Sequence, residues 1–393
     1  MFLWITCIPQ LNGLLGKLHN YAIRNTGMTP YTPQIICIDC DATAAIWDWR
    51  CPECGGPLDI ANPQPFDADR IDAGTWSLWR YGAMLPTDKR FSLGEGMTPL
   101  VQTSVDGLDF YAKLEYLNPT GSYKDRGTTV LVNRLLGENV HDVVEDSSGN
   151  AGASLAAYAG PSGIHARIFV STTASAAKKR LIATNAELVE VSGVRSAATA
   201  ACHAAAETTV YASHAWSPFF LAGQMTAAYE VWEQLGHRAP DAILTPVGHG
   251  GLFLGFARGF AALHEAGLVE RLPRMIATQA AGCDPIVQGY EQQLNAPPVT
   301  QEEETIADGI IVNQPVRGRE ILRVIRETDG AAYRVQDAAI IAAQKMLAER
   351  GLFVEATSAV PLAALREYRH DFAADTTIIM PLTGSGLKGL PGK

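Results

Sequence analysis

Short apolar blocks recur along the chain, separated by glycine-rich turns and alanine-rich stretches with the composition of helices. Blocks of this length are typical of buried strands. Helices are predicted between them, as over residues 151–159 and 196–207. Strands that alternate with helices indicate an α/β fold with parallel sheets flanked by helices. The predicted strands cover residues 110–114, 142–145, 166–170, 187–191, 242–247, 274–279 and 376–380.

Three predicted strands end in polar or glycine-rich loops, and ligands of parallel sheets bind beyond such strand ends. The first loop, Ser147-Ser148-Gly149-Asn150, opens a helix. Its hydroxyls and the free helix N–H groups suit a carboxylate, and the Asn150 amide can donate to a phenolate-like oxygen. A simple N-cap turn is the favoured interpretation of the same residues when they are taken alone.

The second loop contains Gly248, His249, Gly250 and Gly251 and precedes another predicted helix. Its three glycines permit a nest of N–H groups around a phosphate, although a tight turn has the same composition. It matches neither the P-loop nor the dinucleotide fingerprint. The third loop places the neutral hydroxyl of Thr383 after the last predicted strand.

Lys124 follows a turn formed by Asn118, Pro119 and Gly121. We expect Ser122 to be the N-cap of a helix with Lys124 in its first turn. The dipole and free N–H groups of a helix start disfavour an ammonium ion and favour the neutral amine, which condenses with a carbonyl. An ordinary surface lysine is the simpler interpretation when this residue is considered alone.

Four of the seven cysteines form two Cys-x-x-Cys pairs. This spacing predicts a structural tetrathiolate zinc site, with disulfide pairing as the alternative that a reducing compartment disfavours. Such a closed site has no open position for catalysis. The predicted ligands are Cys37, Cys40, Cys51 and Cys54.

The 393 residues are 47% hydrophobic and carry a net charge of −10, as expected of a globular protein without a broad nucleic-acid or anionic-membrane surface. The apolar start of residues 1–8 lacks a basic segment before it, and no run is long enough for a membrane span. We therefore expect a cytoplasmic protein. Residues 1–27 are interpreted as an extension or a start codon assigned too far upstream, because Met28 opens the stretch that fits the remainder better.

The candidate groups together describe one ligand. An aldehyde would suit Lys124, a phosphate the loop at Gly248, a ring oxygen Asn150 and a ring nitrogen Thr383. Pyridoxal phosphate carries all of these groups.

The same motifs resemble those of pyridoxal-phosphate enzymes of the tryptophan-synthase-β fold (fold type II), and most of all the threonine synthases. The matching segments follow the family's order and span roughly residues 90 to 390. The cysteine pairs also resemble those of some threonine-synthase-like proteins. The segments are residues 94–100, 118–127, 147–150, 247–251 and 383–388.

The resemblance implies two three-layer subdomains with parallel sheets, at residues 105–215 and at 71–104 plus 216–393, behind a zinc-ribbon-like segment at 28–70. It implies that Lys124 binds the cofactor covalently and shuttles protons, and that homodimers form. The remaining implied cofactor contacts are Asn150 with the phenolic oxygen, Gly248, His249, Gly250 and Gly251 with the phosphate, and Thr383 with the ring nitrogen. Ser147, Ser148 and Gly149 would bind the substrate carboxylate.

The implied reaction converts O-phospho-L-homoserine and water to threonine and phosphate. One departure puts the substrate in question, because Phe220 stands where the family has a phosphate-binding arginine, and His214 and Ser217 stand at nearby polar positions. Losing a guanidinium should cost a few kcal/mol unless another cation replaces it. Lys178, Lys179 and Arg180 are candidate replacements, although a solvated helix face is the favoured interpretation of these residues.

Two other functions remain open from sequence. An ammonia-lyase acting on serine, threonine or a diamino acid, or a β-replacement synthase, would suit the apolar stretch around Phe220. The other alternative is a protein that is not an enzyme, in which the segment with the cysteine pairs binds a partner and the α/β domain is non-catalytic. The intact Lys124 and glycine loop disfavour it.

Overall fold

A computed structural model describes residues 31–174, 176–301 and 303–389. The predicted extension at residues 1–27 lies outside the described part. None of the described helices is both long and apolar enough to cross a membrane. The strands are β1 Ile35–Cys37, β2 Thr43–Ala44, β3 Leu58–Ile60, β4 Leu100–Val105, β5 Leu108–Lys113, β6 Asp142–Glu145, β7 His165–Ser171, β8 Glu187–Val191, β9 Val210–Tyr211, β10 Ala242–Pro246, β11 Arg274–Ala280, β12 Ala331–Val335 and β13 Ile378–Pro381. The α-helices are α1 Lys124–Gly137, α2 Asn150–Ser162, α3 Ala176–Ile182, α4 Arg195–Ala205, α5 Pro218–Gln234, α6 Gly251–Glu265, α7 Pro285–Glu291, α8 Gly318–Glu327, α9 Asp337–Ala348 and α10 Ala356–Glu367.

The larger sheet has six strands in the order β12-β11-β10-β13-β5-β4. Its strands are parallel except for β4, which pairs antiparallel with β5 at the edge. Successive residues of a strand face opposite sides of the sheet. Accordingly, Ile243 packs in the core formed with α5 and α6, whereas Ala242 and Leu244 pack with α9 and α10. Both faces are therefore covered by helices.

The smaller sheet has four parallel strands in the order β8-β7-β6-β9. Val143 and Ile168 pack on one face with residues of α1 and α2, and Val144 packs on the other with residues of α4. The α/β fold with parallel sheets that the sequence indicated is confirmed.

The boundary expected near residue 105 differs from the hydrogen-bonding pattern. Strand β5 pairs with β13, at the far end of the chain, and so belongs to the larger sheet. The smaller sheet begins only at Asp142. Local sequence does not reveal this, because the partner of β5 lies more than 260 residues away in the chain.

A separate antiparallel sheet in the order β2-β1-β3 precedes both. It contains Cys37 at the end of β1 and carries the other three predicted zinc ligands on its connecting loops. Its Ile35 and Leu58 pack into the same core as helices α1 and α2.

Candidate active site

Helix α1 begins at Lys124, as predicted, but the expected N-cap is wrong. Tyr123 holds the cap position and the buried Ser122 hydroxyl has no partner. Instead, the Asp125 carboxylate reaches back and accepts from both the backbone N–H and the hydroxyl of Thr120. The turn before it closes through the Gly121 N–H, with Gly121 at a φ of 74° that favours glycine.

The start of α1 is bonded directly to the loop after β13. The Tyr123 N–H donates to the Thr383 carbonyl at 3.1 Å, and Ser122 forms a β-bridge with Gly384. These bonds place Lys124 beside Thr383, although the two residues come from distant parts of the chain.

All of the predicted cofactor and substrate residues line one cavity of about 350 Å³. A volume of this size is typical of small-molecule sites. The structure brings together Lys124, Ser147, Ser148, Gly149, Asn150, Gly248, His249, Gly250, Gly251 and Thr383.

The glycine loop at residues 248–251 is built for close approach of the backbone. Gly250 has a φ of 81°, and a Cβ there would lie 2.3 Å from the Ile321 side chain. Helix α6 begins at Gly251, so its first N–H groups have no partner within the helix. This combination fits a bound phosphate. Burial, together with the charges of Arg195 and Lys124, lowers the pKa of His249 to about 3, so its ring is neutral.

The other predicted groups are already oriented by neighbours. Asn150 Nδ2 donates to Glu355 at 2.8 Å, and Lys388 donates to its Oδ1. The hydroxyls of Thr383 and Ser358 are 2.9 Å apart, which gives an uncharged pair in the cavity wall. The donors and acceptors therefore fit the polar groups of pyridoxal phosphate.

A histidine–carboxyl pair in the cavity wall was missed by the sequence interpretation. His214 Nδ1 lies 2.7 Å from Glu145, and the His214 ring packs edge-on against His249. Burial and the nearby Lys124 charge hold the pKa of His214 well below its usual value. Burial and Asp146 raise the pKa of Glu145 well above its usual value. The sequence feature that could have indicated this pair is Glu145, an acidic residue at the last position of strand β6.

Phe220 is 2% exposed and its ring lies directly against α1. A Cβ on Gly127 would be 2.6 Å from three of its ring atoms, and Lys124 Nζ is 5.9 Å from the ring centroid. This position therefore supports the helix that carries Lys124 and supplies no charge.

Two of the three candidate replacements for the missing guanidinium, Lys179 and Arg180, do not line the cavity. Lys179 forms an ion pair with Glu190. The side chain of Lys178 lies outside the described part. The cavity is lined instead by Arg195, the first residue of α4. Arg195 follows strand β8, as the predicted site residues follow other strands, and this position was the sequence feature that could have identified it.

A buried ion network behind α1 was also missed. Arg126, fully buried, forms ion pairs with Glu115 and Glu230, and Lys113 forms a third with Glu230. Arg126 lies two residues after Lys124 on the same helix. The network therefore fixes the first turn of α1 from the side opposite the cavity.

The four predicted zinc ligands form a compact cluster whose sulfur atoms lie within 4.8 Å of one another. Backbone N–H groups of Asp39, Glu53 and Gly56 donate to three of these sulfurs at 3.4 Å. This donor set fits a tetrathiolate metal site. Trp49, next to the cluster, packs edge-on against Trp216 at 5.0 Å between ring centroids.

Comparison with known proteins places the chain in a family. The model of the family described as pyridoxal-phosphate dependent enzyme matches residues 91–384. A threonine synthase of Methanosarcina acetivorans is 32% identical, over 90% of this chain and 91% of that protein. Another, of Methanocaldococcus jannaschii, is 33% identical, over 90% of this chain and 92% of that protein.

Comparison with a solved structure supports membership of the same family of folds. A serine racemase from Dictyostelium discoideum is 26% identical with a TM-score of 0.62, over 74% of this chain and 92% of that one. The chain therefore belongs to the family of pyridoxal-phosphate dependent enzymes.

Proposed function

We propose that this enzyme is a threonine synthase, which converts O-phospho-L-homoserine and water to L-threonine and phosphate. The observation that carries the proposal is the meeting of Lys124, the glycine loop, Asn150 and Thr383 in one cavity. The similarity to threonine synthases over about 90% of the chain supports it.

The residues of the cavity have separate tasks in this proposal. Ser147, Ser148 and the N–H of Gly149 bind the substrate carboxylate and orient the α-carbon. Lys124 Nζ takes the proton from that carbon and later returns one. When bound, the cofactor supplies the electron sink that stabilises the resulting carbanion. The uncharged Thr383 favours elimination and replacement over transamination, because it leaves the ring nitrogen without a proton.

Product analysis tests this proposal directly. Purified enzyme loaded with pyridoxal phosphate is incubated with O-phospho-L-homoserine, and phosphate, threonine and keto acids are measured. Phosphate and threonine in equal amounts are expected. A loaded enzyme that releases neither product would overturn the proposal.

A second candidate is an ammonia-lyase acting on serine, threonine or a diamino acid, or a β-replacement synthase. The buried Phe220 and the two neutral imidazoles of His214 and His249 favour an uncharged side chain. This candidate predicts ammonia and keto acid from serine or threonine. A β-replacement synthase would instead require an added nucleophile before any amino-acid product forms.

We further propose that Cys37, Cys40, Cys51 and Cys54 bind one structural zinc ion within a segment at residues 28–70, ahead of a catalytic domain from residue 71. The clustered sulfurs and their N–H donors support this ligand set. Metal analysis should find one zinc per chain, and Cys51→Ser should abolish it. Zinc retained by that variant would contradict the assignment. The homodimer and the cytoplasmic location remain predictions.

A further inference from the structure

The proposed substrate carries a second anion on its side chain, and the described cavity offers few charges to receive it. Phe220 is apolar and buried under Lys124. Burial first, then nearby positive charges, lowers the pKa of His249 to about 3 and that of His214 well below its usual value, so neither ring is cationic. A cation must therefore come from another element if the side-chain anion is bound at all.

Arg195 is the only guanidinium among the described residues that line the cavity. It begins α4, which packs on the smaller sheet, and donates at 3.3 Å to the carbonyl of Ile311, in a loop that also lines the cavity. The side chain is exposed and links two segments of the cavity lining. Of the positive charges that act on His249, that of Arg195 has the larger effect and Lys124 the smaller.

Among the described residues, Arg195 forms no ion pair with Glu145 or Asp146, although its charge acts on Glu145 from a distance. Both oxygens of Asp146 accept hydroxyl hydrogen bonds at 2.6 Å, from Thr199 and Tyr211. Glu145 is paired with His214, whose Nδ1 lies 2.7 Å away. A guanidinium has five N–H donors, and the bond to a single carbonyl leaves most of them for a ligand.

Stability does not explain a cation at this position. The first turn of a helix favours acidic residues and disfavours Lys and Arg, because its dipole is positive there. Arg195 begins α4, lines the cavity and forms no ion pair with Glu145 or Asp146. This placement suits an external anion.

We propose that Arg195 is the specificity-determining residue for this site, and that it binds an anionic group at the end of the amino-acid substrate's side chain. The inference rests on the proposed function for the identity of that group, a phosphate. It assigns the side-chain anion to the start of α4 and not to Phe220, which is outside the described lining of the cavity.

Substrate binding by the loaded enzyme tests this assignment. The variants are Arg195→Gln, Arg195→Lys and, as a matched control, Arg323→Gln, an exposed arginine of α8 outside the cavity. O-Phospho-L-homoserine, L-homoserine and inorganic phosphate are titrated while the visible absorbance of the bound cofactor is followed, and KM and kcat are measured separately. An unchanged absorbance spectrum before titration shows that the cofactor site is intact.

Arg195→Gln should weaken O-phospho-L-homoserine binding and raise its KM about 10- to 100-fold, as expected for hydrogen bonds to a charged group. The affinity for L-homoserine should stay within about twofold, Arg195→Lys should be intermediate, and Arg323→Gln should match the unmodified enzyme. An unchanged KM in Arg195→Gln would overturn the inference while threonine formation still supported the proposed function. Arg195-dependent binding without any threonine or phosphate would refute the function and support the inference.

Discussion

Replacing Glu230 by Gln removes one charge from the buried network behind α1 and changes almost nothing in shape. Glu230 accepts from the backbone N–H groups of Met97 and Thr98 and from the side chains of Lys113 and Arg126. With Glu115, the network contains two positive and two negative side chains, so it is neutral. The variant leaves an uncompensated positive charge in the interior.

The expected cost follows from the pKa of Glu230. Burial alone would raise this pKa, but Arg126 and Lys113 outweigh burial and lower it from 4.5 to about 2. At about 1.4 kcal/mol per pKa unit, this difference corresponds to about 3 kcal/mol of stability at neutral pH. Breaking a buried pair by removing one partner costs a similar amount, about 3–5 kcal/mol.

Urea unfolding at pH 7, followed by circular dichroism, measures this cost. The control is Glu327→Gln, whose carboxylate is 59% exposed and lies 3.9 Å from Arg323 on the surface of α8. The control should change the free energy of unfolding by less than about 1 kcal/mol. If Glu230→Gln, like the control, lowers the free energy of unfolding by less than about 1 kcal/mol, the reasoning is refuted.

The pH dependence of the free energy of unfolding tests the same contribution of Glu230, and the direction of the effect follows from the pKa. Because the pKa of Glu230 is lower in the folded protein, its contribution is fully present above about pH 4.5 and is lost as the pH falls towards about 2. The free energy of unfolding of Glu230→Gln should therefore fall less steeply between about pH 4.5 and about pH 2 than that of the unmodified protein. A variant with the same slope as the unmodified protein over that range would contradict the assignment.

Two further predictions concern the supports of the cavity. Gly223→Ala should lower the free energy of unfolding by about 1–3 kcal/mol or more, because its Cβ would lie 2.1 Å from the Arg126 carbonyl oxygen. The matched control is Gly137→Ala, because a Cβ at Gly137 would lie no closer than 3.5 Å to a neighbouring atom. Equal losses of stability in the two variants would contradict the close contact between α1 and α5. Removing the proposed zinc ion with a chelator should shift the tryptophan emission. Trp49→Phe should reduce that shift, because Trp49 lies two residues before Cys51 in the sequence and packs against Trp216. Identical shifts in the two proteins would argue against this coupling.

The sequence was sufficient to predict that Lys124, the loops at residues 147–150 and 248–251, and Thr383 meet in one cavity, because each lies at the end of a strand or the start of a helix. Lys124, Asn150, Gly248 and Thr383 are recognisable locally by turn residues and strand boundaries. In parallel sheets these boundaries converge at one edge, so local patterns are enough to place them together.

The remaining parts depend on long-range contacts that local patterns do not encode. Glu115 and Glu230 come together only because α1 and α5 cross closely at Gly127 and Gly223. Arg195 resembles any solvated arginine in sequence, and only the three-dimensional structure shows that it lines the cavity and bonds to the carbonyl of Ile311. The sequence named Lys179 only as a candidate cation and favoured a solvated helix face for it, and in the structure its amine forms an ion pair with Glu190.

The central claim is that Lys124 is the lysine to which the cofactor attaches. Borohydride reduction of the loaded enzyme, followed by proteolysis and mass spectrometry, locates the lysine that carries the reduced cofactor. We predict a single adduct on Lys124, with the yellow absorbance lost on reduction, and no adduct in Lys124→Ala. An adduct on another lysine, or a loaded enzyme that forms none, would contradict the claim.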